Sequence, residues 1–124
     1  MNRKQLEERL ISFSAKTIEL SIKIGDSYAA EVIGKQLTRS GTSSALNYGE
    51  AQIAESPKDF VHKMGICLKE LRESYISLQI IESLGMCSND DLLTELMNEN
   101  NELISIFVAS IKTSIRKNSD LTNR

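Results

Sequence analysis

Apolar side chains recur along the first part of the chain at the spacing of an α-helix. Six core positions step by intervals of four or three residues: Leu6, Leu10, Phe13, Thr17, Leu20 and Ile24. This spacing keeps one face of a helix turned toward a partner. It predicts a first helix over residues 3–24.

The rest of the chain repeats this kind of pattern in three further segments, separated by residues that favour helix ends. The candidate capping residues are Gly25, Asp26 or Ser27, then Ser56 with Pro57, then Gly85 and Ser88 or Asn89. The four predicted helices cover about residues 3–24, 28–54, 57–84 and 89–117, and the polar tail after residue 117 is expected to fray. Because the connections are only a few residues long, neighbouring helices must be antiparallel. The prediction is an all-α fold, an antiparallel up-down-up-down four-helix bundle, formed by residues 1–124 as one domain.

The second predicted helix is unusual because it is rich in glycine, serine and threonine. Its smallest residues step by four, three, four and four positions: Gly34, Thr38, Gly41, Ala45 and Gly49. On a helix they form one narrow ridge, which lets another backbone approach closely at a cost of about 1 kcal/mol for each glycine relative to alanine. No strand precedes these glycines, and the order of a phosphate-binding loop is missing. We interpret the ridge as a packing surface, against another helix or another subunit.

Helices 2 and 3 also carry charged and amide side chains that the antiparallel pairing brings near each other. A turn centred near Ser56 places Arg39 within a turn of Glu70 and Glu73. The predicted structural polar cluster consists of Arg39, Asn47, Glu50, Glu70 and Glu73. A pair of this kind more often fixes helix register than performs catalysis.

Composition and isolated reactive residues argue against an enzyme. Aromatic residues make up 5% of the chain and tryptophan is absent, so the core must be aliphatic. Cys67 and Cys87 lack the spacing of a zinc or redox site, and His62 is the single histidine, too few for a di-iron bundle. We predict no catalytic residues, no cofactor and no metal. No apolar run is long enough to span a membrane, which predicts a soluble, cytoplasmic protein that does not bind membranes.

Charge is distributed unevenly, although the net charge is only -2. In an up-down bundle the start of helix 1 and the end of helix 4 share one pole, which gathers Arg3, Lys4, Arg9, Lys112, Arg116 and Lys117. The opposite pole is acidic, with Asp26, Glu31, Glu82, Asp90, Asp91 and Glu95. These charges either complement the helix dipoles or, repeated around a ring of subunits, form a nucleic-acid surface.

The central part of the chain resembles a known family, the four-helix bundle proteins encoded in intervening sequences of bacterial 23S ribosomal RNA genes. In helix 2 the resemblance rests on Gln36, Leu37, Arg39, Ser40, Ser43, Asn47 and Glu50. In helix 3 it rests on Ser56, Asp59, Phe60, Lys69, Glu70 and Glu73. The family is similar to the accessory bundle protein of diversity-generating retroelements, a pentameric barrel that binds nucleic acid. The resemblance therefore implies a homo-oligomer, plausibly a pentamer, and association with RNA or DNA.

Two functions remain open from the sequence: a nucleic-acid-associated oligomer, and an oligomeric scaffold that binds another protein. The first predicts salt-sensitive binding that depends on the basic pole. The second predicts a specific protein partner. For assembly, helix 1 offers a second apolar stripe beside its core face, formed by Ile11, Ile18 and Ile22.

Overall fold

The computed structural model describes residues 1–87 and 91–122, which form four α-helices packed against one another. The helices are α1 (Arg3–Lys23), α2 (Tyr28–Gln52), α3 (Pro57–Ser83) and α4 (Asp91–Thr122). Each helix packs against its neighbour in sequence, and α1 contacts α4 to close the bundle. The α1–α4 contact is the least extensive of the four helix pairings. The predicted four-helix bundle is confirmed.

The helix ends follow the capping chemistry expected from the sequence. The Ser27 side chain accepts a hydrogen bond from the amide of Ala30, and the Ser56 side chain does the same for Asp59. Gly25 and Gly85 follow α1 and α3 with φ of 94° and 66°, a region that side chains other than glycine rarely adopt. The alternative cap at Asp26 is not used, and the candidate caps Ser88 and Asn89 lie outside the described residues.

The fourth helix is longer than the sequence pattern predicts. It continues to Thr122, beyond the predicted end at Lys117. With 32 residues against 21 in α1, α4 is about 16 Å longer at 1.5 Å per residue. The residues after Lys117 are mainly polar, which suggests a frayed end when only hydrophobicity is considered. They contain no glycine or proline that would break the helix.

The apolar side chains in the interior of the bundle are mainly aliphatic, as the composition requires. Its largest fully buried apolar side chains are Leu10, Phe13, Leu20, Leu37, Met64, Leu71, Leu78, Ile81, Leu96, Leu103 and Phe107. Tyr48 meets Phe107 edge to face, with ring centroids 5.8 Å apart. One amide lies among these groups: Asn100 on α4 is fully buried and its Nδ2 donates to the Leu71 carbonyl at 2.9 Å.

Candidate nucleic-acid interface and interhelical contacts

The small-residue ridge of α2 packs against α1. A Cβ atom added at Gly41 would lie 2.6 Å from Thr17 Oγ1 and 2.8 Å from Thr17 Cγ2, closer than real Cβ atoms approach. At Gly34, an added Cβ would lie 3.5 Å from Ser21 Cβ, which is ordinary contact. Thr38 is half-buried, and its hydroxyl shares a hydrogen bond with Ser21 Oγ at 2.9 Å. The close approach is therefore tightest at Gly41.

The ridge does not extend over its whole predicted length. Gly49 is exposed, and a Cβ added there would meet no atom within 4 Å, so it takes no part in the packing of α2 against α1. Ala45 is only half-buried. The reason is rotation: the eight residues from Gly41 to Gly49 turn the side-chain direction by about 80° around the helix, away from α1.

Serine hydroxyls of α1 complete this seam, and the sequence analysis missed their part in it. Ser14 Oγ donates to the carbonyl of Leu10 in its own helix at 2.7 Å and reaches the Gly41 carbonyl of α2 at 3.0 Å. Ser21 Oγ similarly lies 3.0 Å from the Gly34 carbonyl. The glycines of α2 thus expose carbonyls to the hydroxyls of α1. The available signal was that Ser14 and Ser21 stand one helical turn either side of Thr17.

The polar cluster between α2 and α3 is smaller than predicted. Arg39 Nη1 donates to Glu70 Oε2 at 3.1 Å, and Arg39 Nη2 donates to Glu73 Oε2 at 2.7 Å, the pairing that the antiparallel register predicts. The guanidinium lowers the pKa of Glu73 below its ordinary value by hydrogen bonding. Glu70 is buried, whereas half of the Arg39 side chain is exposed, so this is not a fully buried pair.

Asn47 and Glu50 do not belong to that cluster. Asn47 Nδ2 donates to the Ser43 carbonyl of its own helix at 2.8 Å, and Glu50 is exposed. Glu50 lies eleven residues, about 16 Å along the helix, from Arg39. It therefore faces the first turns of α3 and not Glu70 or Glu73.

Arg9 is not available at the basic pole. Its guanidinium binds Glu99 of α4 with two nitrogens, one of them Nε donating to Oε2 at 2.9 Å, and approaches Glu102 at 3.4 Å. The hydrogen bond to Glu99 raises the pKa of Arg9. Lys16 pairs with Glu95 in the same α1–α4 seam. Arg9 is thus part of the seam that closes the bundle, because the antiparallel register places it beside Glu99.

The other predicted basic residues are exposed. Five of them lie at or near the end of the bundle where α1 begins and α4 finishes: Arg3, Lys4, Lys112, Arg116 and Lys117. Because Arg9 pairs with Glu99, the start of α1 lies level with about residue 105 of α4, so Lys112 to Lys117 extend about 10 to 18 Å beyond it. Arg3 is near the Tyr48 hydroxyl, where its charge partly offsets the burial that raises the Tyr48 pKa.

At the opposite end, Asp26, Glu31, Glu82 and Asp91 are exposed and Glu95 pairs with Lys16, while Asp90 lies outside the described residues.

Reactive side chains are isolated from one another. Cys67 is buried, which raises the pKa of its thiol to about 12, and His62 is exposed on α3. Over residues 1–87 and 91–122, no three His, Cys, Asp or Glu side chains are grouped to hold a metal ion. None of the helices in that part of the chain combines the length and apolar character needed to cross a bilayer.

These features define a class: an all-α bundle whose polar side chains mainly join its own helices, with basic groups left over at one end. The family model described as 23S rRNA-intervening sequence protein matches residues 5–109, and the chain belongs to that family. The match confirms the resemblance that the motifs of α2 and α3 indicate.

Among solved structures, the chain is similar to a protein of unknown function from the S23 ribosomal protein family of Bacteroides thetaiotaomicron. The two are 26% identical, with a TM-score of 0.79 over 86% of this chain and 98% of the other. No curated protein matches the chain.

Proposed function

We propose that the protein is a non-enzymatic homo-oligomer that associates with RNA or DNA through the end of the bundle where α4 finishes. The observation that carries this proposal is the contrast between paired and unpaired basic side chains. Arg9, Lys16, Arg39 and Lys63 bind carboxylates, whereas Lys112, Arg116 and Lys117 are exposed without an ion pair in the part of the chain that the structure describes. Unpaired cations are the groups that can neutralise phosphates and release counterions.

Assembly would strengthen a basic surface that is modest on one chain. The net charge of -2 gives no long-range attraction for a polyanion, so binding must depend on local clusters. A closed ring places equivalent ends of its subunits on the same side. Several copies of the Lys112, Arg116 and Lys117 cluster would then face one ligand. The family's connection with ribosomal RNA genes is consistent with an RNA ligand.

The same proposal includes a non-catalytic role. A nucleophile needs a base within hydrogen-bonding reach, but burial keeps the Cys67 thiol protonated and His62 stands on the outer surface. The polar groups that do meet one another, such as Arg39 with Glu70 and Glu73, are satisfied by their own pairing.

We expect the protein to sediment as an oligomer at micromolar concentration. The side chains of Ile11, Ile18 and Ile22 are 54%, 42% and 74% exposed on one stripe of α1, which is more apolar surface than a bundle of this size needs to leave in water. The resemblance to pentameric bundle proteins implies five copies. Analytical ultracentrifugation measures the stoichiometry directly, and Ile11→Ser with Ile18→Ser should lower it. A monomeric wild type would reject the assembly and the ring with it.

Reversing the charge of Lys112, Arg116 and Lys117 to glutamate should abolish RNA or DNA retention at low salt. These residues are exposed, so circular dichroism and sedimentation should remain those of the wild type. The matched control exchanges Lys and Arg at the same three positions, which preserves every charge and should preserve binding. The measurement is fluorescence anisotropy of a labelled oligonucleotide against salt concentration.

Two outcomes would contradict the nucleic-acid proposal in different ways. Unchanged affinity and salt dependence in the reversed variant would show that the end of α4 does not carry the binding. A wild type that binds neither RNA nor DNA at low salt would reject nucleic-acid association altogether, and a protein-binding scaffold would then be the better function.

A further inference from the structure

The outer face of α3 carries basic side chains that the sequence analysis did not assign to any site. Lys58, His62, Lys69 and Arg72 are spaced by four, seven and three residues and are all exposed. These intervals place them on one side of a helix. The stripe runs for about 21 Å along the helix axis, at 1.5 Å per residue.

The acidic residues of the same helical segment are already paired. Asp59 binds Lys63 at 3.2 Å, and Arg39 of α2 binds both Glu70 and Glu73. By contrast, Lys58, Lys69 and Arg72 have no ion pair with any residue in the ranges 1–87 and 91–122. The segment is close to neutral in total, but its acidic side chains are bound in ion pairs, whereas Lys58, Lys69 and Arg72 on its outer face are not.

Gly65 stands at the middle of this stripe, seven residues from Lys58 and seven from Arg72. It is exposed, and a Cβ added there would meet nothing within 4 Å. It opens a shallow depression of about 400 Å³, whose other lining residues are Leu68, Lys69, Arg72, Glu73 and Ile76. A ligand backbone could therefore approach the helix closely between the two pairs of basic residues.

The stripe also begins where the basic end of α4 lies. Asn100 of α4 bonds to the Leu71 carbonyl of α3, which fixes the register of these antiparallel helices. Thirteen residues before Leu71 is Lys58, and thirteen residues after Asn100 is Thr113, so Lys58 lies level with the turn between Lys112 and Arg116. The two basic regions thus lie at the same height of the bundle.

We propose that the outer face of α3 extends the basic end of α4 into a continuous binding track for the phosphodiester backbone of a nucleic acid, which crosses α3 over Gly65. This inference rests on the proposed nucleic-acid association and adds the surface that would carry much of it. A track of about 21 Å corresponds to roughly six steps of a strand at 3.4 Å each. Lys58, Lys69 and Arg72 would contact phosphates, and His62 would add a hydrogen-bonding group between them.

The test compares a stripe variant with a control that has the same net charge. The stripe variant carries Lys58→Gln, Lys69→Gln and Arg72→Gln. The control carries Ala29→Glu, Val32→Glu and Thr94→Glu, all at exposed positions near the opposite end of the bundle. Affinity for a labelled single-stranded RNA and for its duplex is measured by anisotropy between about 50 and 200 mM salt.

The stripe variant should reduce the slope of log affinity against log salt by about two for single strands or nearly three for duplex. Each of the three lost phosphate contacts accounts for about 0.7 of the slope for single strands and about 0.9 for duplex. The control should keep the wild-type slope, because its added charge lies away from the track. Gly65→Leu changes no charge and should weaken binding by filling the depression, while Gly49→Leu, at an equally open glycine on α2, should not.

The outcomes separate this inference from the proposed function. If the wild type binds and the Lys112, Arg116 and Lys117 reversal abolishes binding, but the stripe variant keeps the wild-type slope, the α3 track is wrong and the role of α4 stands. Wild-type affinity in Gly65→Leu would likewise overturn the crossing over α3. If the wild type binds no nucleic acid at low salt, the proposed function fails and the track fails with it.

Discussion

Replacing Gly41 with leucine is expected to lower the free energy of unfolding by about 3 kcal/mol, the upper range for overpacking a well-packed interior. Even the first added carbon would lie 2.6 Å from Thr17 Oγ1 and 3.1 Å from Thr17 Cβ. Threonine is branched at Cβ and cannot swing aside freely. The helices α1 and α2 would have to separate, which would also lengthen the 3.0 Å hydrogen bond from Ser14 to the Gly41 carbonyl. Urea denaturation followed by circular dichroism measures the loss.

The chain offers a matched control for this substitution at Gly49. Both glycines lie inside α2, but Gly49 is exposed and has open space where a side chain would begin. Gly49→Leu should therefore stabilise the protein slightly, by up to about 1 kcal/mol, through helix propensity alone. Thr17→Ala should partly rescue Gly41→Leu by removing the atoms that clash. Similar losses at both glycines would show that backbone effects, and not contact with α1, determine the result.

The contrast between Gly41 and Gly49 shows how much of the packing of α2 the sequence pattern could predict. The four-residue and three-residue steps identified a small-residue face correctly at Gly34 and Gly41, because helical periodicity depends only on local geometry. The pattern could not show how wide the face covered by α1 is. Two successive four-residue steps turn Gly49 by about 80° from Gly41, which is enough to carry it out of the contact with α1.

The sequence likewise predicted one of the two main interhelical ion pairs and missed the other. The pairing of Arg39 with Glu70 and Glu73 followed from a single short turn between α2 and α3, whose centre could be located from Pro57. The pairing of Arg9 with Glu99 joins residues ninety positions apart. The relative position of these two residues depends on the lengths of three helix connections, one of which includes residues outside the described range. Nearness to a chain end was therefore a poor guide to whether a basic side chain is free.

The basic face of α3 illustrates the same limit at the candidate site. In the sequence, Lys58, Lys69 and Arg72 alternate with acidic residues and suggest an ordinary solvated helix. The segment becomes distinctive only when Asp59 is seen bound to Lys63 and Glu73 bound to Arg39. Which charges remain unpaired is a property of the packed helices, and composition or spacing alone does not determine it.

Asn100 is a polar residue whose burial the apolar pattern of the fourth helix does not predict. It is fully buried, in contact with the core, and its amide donates to the Leu71 carbonyl on α3. The carbonyl of a residue inside a helix already accepts a backbone hydrogen bond, so it accepts the amide as a second donor. A buried amide of this kind can fix the register of helices at some cost in stability. Here that register sets the height at which α3 and α4 meet.

Asn100→Asp should lower the free energy of unfolding by about 3 to 5 kcal/mol at neutral pH, the usual cost of an uncompensated buried charge. The new side chain has nearly the same shape, so neither a cavity nor overpacking contributes. It replaces the donor facing the Leu71 carbonyl by an oxygen, and burial raises the pKa of the introduced carboxyl above its unfolded value of about 3.9.

The pH dependence of that loss distinguishes a buried charge from a simple loss of one hydrogen bond. A carboxyl whose pKa is raised in the folded state destabilises the protein fully above the folded pKa, and the penalty decreases as pH falls toward the unfolded value. The difference in unfolding free energy between Asn100→Asp and the wild type should therefore shrink as the pH is lowered through this range. Asn101→Asp is the matched control, because Asn101 is exposed and its Nδ2 donates to the Tyr75 hydroxyl at 3.2 Å; it should change stability by less than about 0.5 kcal/mol. A difference for Asn100→Asp that stays constant with pH would mean that the carboxyl reaches solvent, and the tight α3–α4 register at Asn100 would then be wrong.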